Sequence, residues 1–475
     1  MLVFYLVGVT TWGAWLGRGQ TGGRDYFLGN RELPWGAVML SVVATETSTL
    51  TFLSIPGVAY FGTLGFLQLT FGYLAGRIVV AILLLPAYYK GELSTAYELL
   101  AENFGLGPRR FASAVFMVTR LLADSVRLFA TAIPLALITG WDYPASITVI
   151  GVLTVAYTYF GGIKAVIWVD VVQMGLYLVG ALATVTALQV LVPGGWPTIL
   201  TEAGQAGKLA VVNLSFDAST PYTLWAGVLG GGFLTMASHG TDQLIVQRLL
   251  TCRDLVAAQK ALVGSGLVVL GQFLIFLVVG LGLWGYFEGR PFETGDEIFA
   301  QFIVEVLPAG VSGLLVAGVF AAAMSSLSSS INSLASATAY DFWAPWMGAE
   351  IDELRILRAG KFFTLVWAAL LIGGAVLFIP LSAGTTAVEA ALSIASVVYG
   401  GLLGAFVLAV WSSRADGGST IAGMIAGIGA VTAIWLFAET VVAWPWFVPI
   451  GTTVTVVVGW VLGGTRGPET SGETA

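Results

Sequence analysis

Charge is scarce in this sequence. Only 10% of its 475 residues are Asp, Glu, Lys or Arg, against roughly 25% in soluble domains, and a surface meant wholly for water is excluded. There is one cysteine, Cys252, and one histidine, His239. A lone thiol closes no internal disulfide, and Cys252, beside Arg253, has no metal-ligand neighbour in sequence, so nothing supports redox chemistry. One histidine leaves little for metal chemistry, and the apolar segments lack the paired carboxylates or histidine clusters that a membrane enzyme needs. Nothing points to nucleic acid or to an obligate protein partner.

What the chain has instead is apolar length. It is 57% hydrophobic with a mean hydropathy of +0.89. Windows of about 20 apolar residues, enough to cross a bilayer, recur at 2–17, 36–62, 64–88, 109–138, 145–163, 165–192, 222–247, 260–286, 308–340, 359–380, 386–412, 418–438 and 445–463. The expectation is an all-α, multi-pass membrane protein with thirteen spans. The first window begins at Met1 without a basic leader and lacks a small-residue cleavage pattern, so it reads as a retained span.

The basic residues test that count. Placed on alternate connections, fifteen fall on one side (Arg18, Arg24, Arg31, Lys90, Arg109, Arg110, Lys164, Arg248, Arg253, Lys260, Arg355, Arg358, Lys361, Arg414 and Arg466) and only Lys208 and Arg290 on the other. The positive-inside tendency makes the crowded side cytoplasmic, with the N-terminus outside and the C-terminus inside the cell membrane.

Ionisable residues within spans are costly and mark polar interiors. Arg120, Asp124 and Arg127 share one helical face by their i, i+4, i+7 spacing. Two cations and one anion leave a positive charge over, and the deeper Arg127 suits bidentate carboxylate recognition, with structural pairing as the competing reading. Glu46 and Arg77 either neutralise each other or bind a cation. Asp170 follows a Gly-Gly turn at Lys164 by six residues, roughly 9 Å into the membrane; a cation path and a bond to a neighbouring helix both fit it. His239 lies one turn from Asp242.

Two segments make poor continuous helices: ATETSTLTFLSIPG (44–57), and the seventh window, which opens with Gly227, Gly230, Gly231 and Gly232. Broken helices at matching places in two halves point to an inverted-repeat transporter with its sites near the midplane. The stretch AAAMSSLSSSINS (321–333) puts Ala322, Ser325, Ser326 and Ser329 on one face. Close helix packing uses small residues too, and the residues alone leave packing and ion binding open. Adjacent hydroxyls, a carbonyl one turn back and the carbonyls of a broken helix make an oxygen set that suits sodium.

These segments, with RDYFLGNRELPW (24–35), YFGGIKAVIWVDVVQ (159–173) and TDQLIVQR (241–248), resemble the sodium:solute symporter family from about Arg24 to Trp411. The resemblance implies a leucine-transporter-type core of two inverted five-helix repeats, at 36–192 and 222–412. An extra span and loop at 1–35, an outer loop at 193–221 and two further helices at 413–475 complete the chain. It also implies Na+ at Ala44, Thr47, Ala322, Ser325 and Ser326, and a possible second sodium at Asp170, Ser328 and Ser329. Leu50, and the lack of lysine between Ala261 and Trp284, depart from the family's galactose pocket, which makes hexose a poor candidate. Glu46, Arg127, Thr235, Ser238, His239 and Gln272 are the expected solute-facing groups, for a small organic solute, with an anionic one such as a monocarboxylate or acidic sugar among the candidates. The expectation is a sodium-coupled symporter, with a proton-coupled one or a transporter-shaped sensor as alternatives.

Overall fold

The computed structural model describes residues 2–91, 93–348, 352–379 and 387–464. Arg466, counted above among the cytoplasmic cations, lies outside them. The helices that lie in the apolar windows include α1 (Leu2–Leu16), α2 (Trp35–Glu46), α3 (Thr49–Phe61), α4 (Leu67–Leu83), α5 (Leu106–Thr139), α6 (Tyr143–Leu191), α7 (Gly231–Gly240), α8 (Gln243–Leu249), α9 (Leu255–Tyr286), α10 (Ala309–Ala337), α11 (Glu353–Phe378), α12 (Ala387–Trp411), α13 (Gly417–Phe437) and α14 (Phe447–Leu462). Among the described residues each apolar window is largely helix. Among the described residues eight helical runs are long and apolar enough to cross a membrane, and nine if the bent pair α2–α3 counts as one crossing.

That tally differs from thirteen for local reasons. α6 holds two windows in 49 residues, interrupted at Gly162, whose φ of 55° only glycine adopts easily. A β-carbon there would also stand 2.6 Å from the carbonyl oxygen of Tyr26. α1 has only 15 residues, and α5 carries the charges discussed below.

The two interrupted windows break where hydrogen-bonding side chains compete with the helix ladder. After Glu46 the N–H of Ser48 bonds the Glu46 carbonyl at 3.1 Å, not that of Ala44 one turn back. The Thr47 hydroxyl turns onto the Val43 carbonyl at 2.9 Å, and the Ser48 hydroxyl caps the first turn of α3. The axis bends by 62°. Pro56 sits inside α3 and is not the cause. In the seventh window the glycines do not break the chain: residues Ala226–Gly230 form a wide π-helical turn that runs on into α7. The interruption falls at Thr241–Asp242, where one Asp242 carboxylate oxygen caps α8 through the Leu244 N–H at 2.9 Å.

The glycines serve packing. A β-carbon on Gly72 of α4 would lie 2.2 Å from the Gly227 carbonyl oxygen, and one on Gly76 would lie 2.4 Å from that of Gly232. Backbones therefore touch without intervening side chains, which is how helices gain contact in a bilayer. Gly72→Val is expected to lower the thermal unfolding midpoint of detergent-purified protein, because neither backbone can retreat; an unchanged midpoint would contradict this packing.

Candidate ion and solute site

The broken pair α2–α3 and the serine-rich α10 run antiparallel, fixed by two hydrogen bonds. Thr45 Oγ1 lies 3.2 Å from Ser329 Oγ, and Thr49 donates to the Val319 carbonyl at 3.1 Å. Between these ties the break at Thr47 faces the part of α10 that holds Ala322, Ser325 and Ser326. These four residues and Ala44 are buried. Among the described residues the Ser326 hydroxyl has no hydrogen-bond partner, and a buried hydroxyl without one is costly. Gln272 serves this break: its amide donates to Thr47 Oγ1 at 2.6 Å.

The Ser325 hydroxyl donates to Asp170 Oδ1 at 2.7 Å, which leaves its oxygen lone pairs available to a cation. The other Asp170 oxygen accepts from Ser41 at 2.5 Å and meets Arg248 Nη2 at 3.3 Å. Arg248 also bonds Ser41, Ser329 and the Leu244 carbonyl. Both members of the Asp170–Arg248 pair are 0% exposed. Arg248, read above as a cytoplasmic loop cation, is thus an interior residue of α8. The hydroxyl of Ser328 returns to its own helix, at 3.0 Å from the Ser325 carbonyl.

A cavity of about 200 Å³ lies beside the break. Five of the six residues expected to face solute line it: Glu46, Arg127, Thr235, Ser238 and His239. Gln272 does not. Sequence reasoning missed the aromatic part of the wall, Phe66, Tyr73, Tyr222, Phe273, Tyr399 and Trp444, because an aromatic side chain in a span reads equally as core or lipid-facing.

The charges around this cavity pair off. Glu46 meets Arg77, and His239 Nε2 lies 3.0 Å from Arg77 Nη2. Arg donates only, so the Arg77 contact takes Nε2 as acceptor with the proton on Nδ1, 2.8 Å from Ser238 Oγ, while the Glu46 carboxylate lies 3.6 Å from the same Nε2. Arg120 meets Asp242 closely and reaches the Tyr399 hydroxyl at 2.6 Å, while its approach to Asp124 is 3.8 Å. Asp124 instead takes Arg127 at 2.9 Å. Asp242 therefore supplies the second anion, and the positive charge expected to be left over is balanced. Arg127 is the more open of the two arginines, its side chain 23% exposed against 6% for Arg120.

Known proteins share the sequence and the fold of this chain. The chain is 29% identical over 466 residues to the sodium/sialic acid symporter NanT of Aliivibrio fischeri, covering 97% of this chain and 91% of that one. It is 30% identical over 447 residues to the sodium/sialic acid symporter SiaT of Proteus mirabilis (91% and 88%). It is also 30% identical over 424 residues to the human sodium-coupled monocarboxylate transporter 1 (87% and 68%). A substrate-bound, outward-open structure of a Na+-coupled sialic acid symporter superimposes with a TM-score of 0.89 at 28% identity, over 97% of this chain and 96% of that one. Mhp1, a nucleobase-cation-symport-1 family transporter, shares the fold alone, with a TM-score of 0.58 at 13% identity over 92% and 93%. The sodium:solute symporter family matches residues 26–427, and the chain belongs to that family.

Proposed function

We propose that this protein is a sodium-coupled symporter that imports a small organic anion by alternating access. The observation that carries the reading is the break at Glu46–Ser48 set against the serine face of α10, where the buried Ser326 hydroxyl has no partner among the described residues. Sodium is held there by the carbonyls of Ala44 and Thr47 on one side, and by the Ala322 carbonyl and the Ser325 and Ser326 hydroxyls on the other. Solute occupies the adjoining cavity with its carboxylate on Arg127, among Glu46, Thr235, Ser238 and His239. Sodium joins the broken helix to α10, completes the cavity wall and favours the outward-open form, so sodium and solute strengthen each other's binding.

The chain crosses the cell membrane thirteen times, with two inverted five-helix repeats at 36–192 and 222–412, the N-terminus outside and the C-terminus in the cytoplasm. The bilayer, sodium and the solute are its partners. A second sodium at Asp170, Ser328 and Ser329 would have to compete with Arg248 for an Asp170 oxygen and the Ser329 hydroxyl, so the proposal carries one sodium.

The test is uptake into proteoliposomes of labelled pyruvate and labelled N-acetylneuraminate, in sodium or choline chloride at one pH, with wild type and Ser326→Ala. Wild-type uptake should require sodium. Ser326→Ala should raise the sodium concentration for half-maximal uptake by about tenfold, the equivalent of roughly 1.4 kcal/mol for one lost oxygen ligand. Unchanged sodium dependence in the variant removes Ser326 from the site. Wild-type uptake that persists in choline and follows a pH gradient makes the coupling ion a proton.

A further inference from the structure

We propose that Asp124 is the positioning residue through which the sodium and solute sites act on each other. This rests on the reading of Ser326 as a sodium ligand and of Arg127 as the ligand of the solute carboxylate.

Arg127 borders two cavities. One is the solute cavity; the other, of about 10 Å³, is enclosed by Ser48, Thr49, Asp124, Thr131 and Ser326 together with apolar groups. That smaller space is close to what a single water or small ion needs. The partnerless hydroxyl of Ser326 belongs to its wall. Asp124 joins the two sides. One of its oxygens holds Arg127 Nη1 at 2.9 Å, and the other accepts from the hydroxyl of Ser330, one turn along α10 from Ser326. Ser330 is also 3.1 Å from the Ser326 carbonyl. The Asp124 side chain is only 4% exposed, so water screens it little.

The geometry sets up an exchange of partners. With neither ligand bound, Arg127 and Asp124 neutralise each other. A solute carboxylate that takes Arg127 relieves Asp124 of that cation, and the potential of Asp124 then favours sodium at Ser326. Sodium at Ser326 draws on Asp124 and leaves Arg127 freer for the carboxylate. Each ligand removes the partner that restrains the other's site, and the coupling is reciprocal, as linkage requires.

The experiment measures thermal unfolding of the purified full-length protein across a sodium chloride series, with choline chloride holding ionic strength constant. It is run with and without pyruvate or N-acetylneuraminate as carboxylate probes, on wild type, Asp124→Asn and Ser330→Ala. In Asp124→Asn the sodium concentration for half-maximal stabilisation should rise about fivefold or more, within the usual range of coupling factors, and the carboxylate probe should no longer shift it. Ser330→Ala, which keeps the Arg127–Asp124 pair but cuts its tie to α10, should show a smaller change in the same direction. A purely structural Asp124 would lower the melting point in choline and leave the sodium midpoint in place, and that result overturns the proposal. If neither probe shifts wild type, Arg127 is not a ligand for these carboxylates. The sodium midpoint of Asp124→Asn then decides alone: a rise supports Asp124 acting on the sodium site, and no rise rejects it.

Discussion

Arg248→Met is expected to destabilise the protein more than any other single substitution considered for this chain. Asp170 and Arg248 are both fully buried, and removing one member of a buried ion pair typically costs about 3–5 kcal/mol, because the other is left charged in a medium that solvates it poorly. Met fills much of the volume of the arginine stem, so the loss reads out the charge and not a cavity. Ser41 and Ser325 would still donate to Asp170 but cannot neutralise it. The double variant Asp170→Asn/Arg248→Met should recover part of the loss, since both charges leave together. Thermal unfolding in detergent checks the series: a double variant no more stable than Arg248→Met alone would mean that the pair is not what holds α8 against α6 and α10.

That pair also shows what the sequence conceals. In TDQLIVQRLLTCRD the arginine precedes Cys252 and Arg253 and looks like the start of a basic loop. α8 is in fact buried along its whole length, and the partner, Asp170, is 78 positions away. Charge pairs between helices have no local signature. The i, i+4 rule selected Arg120–Asp124, yet Arg120 meets Asp242, 122 positions on, and Asp124 prefers the i+3 arginine.

Other features were legible because their causes are local. Apolar windows mark helices whatever their partners, and Gly161-Gly162 marked the turn within α6 because the backbone there needs φ of 55°. The threonine-rich ATETS segment marked the break after Glu46, since hydroxyls compete with the backbone for the same carbonyls. The glycines of the seventh window misled for a related reason. Glycine weakens a helix, but it also permits close helix contact, and only the facing Gly72 and Gly76 reveal which use applies. Likewise, five of the six residues expected to face solute line the cavity, and polarity within spans is what marked them. Gln272 is equally polar, but it faces Thr47 and so belongs to the helix break.

Arg127 should distinguish an anionic solute from a neutral one. Its guanidinium presents a planar fork that matches a carboxylate in two parallel hydrogen bonds, whereas lysine offers a point charge. Removing one partner of a buried, hydrogen-bonded charge pair costs about 2 kcal/mol or more, close to a thirtyfold loss of affinity. Arg127→Met is therefore expected to raise the half-saturating concentration of a transported carboxylate by that factor or more. Arg127→Lys should fall between this variant and wild type, because charge survives and the fork does not. Removing Arg127 also leaves Asp124 facing Arg120 at 3.8 Å, so some lost stability is expected in the methionine variant and little in the lysine one. The decisive comparison uses the primary amide of the same acid as a competitor of uptake. If the amide competes as well as the acid in wild type, and the Arg127 variants weaken both equally, the arginine shapes the cavity without reading charge. If they weaken the acid alone, the carboxylate sits on Arg127, beside the residue that connects it to the sodium helix.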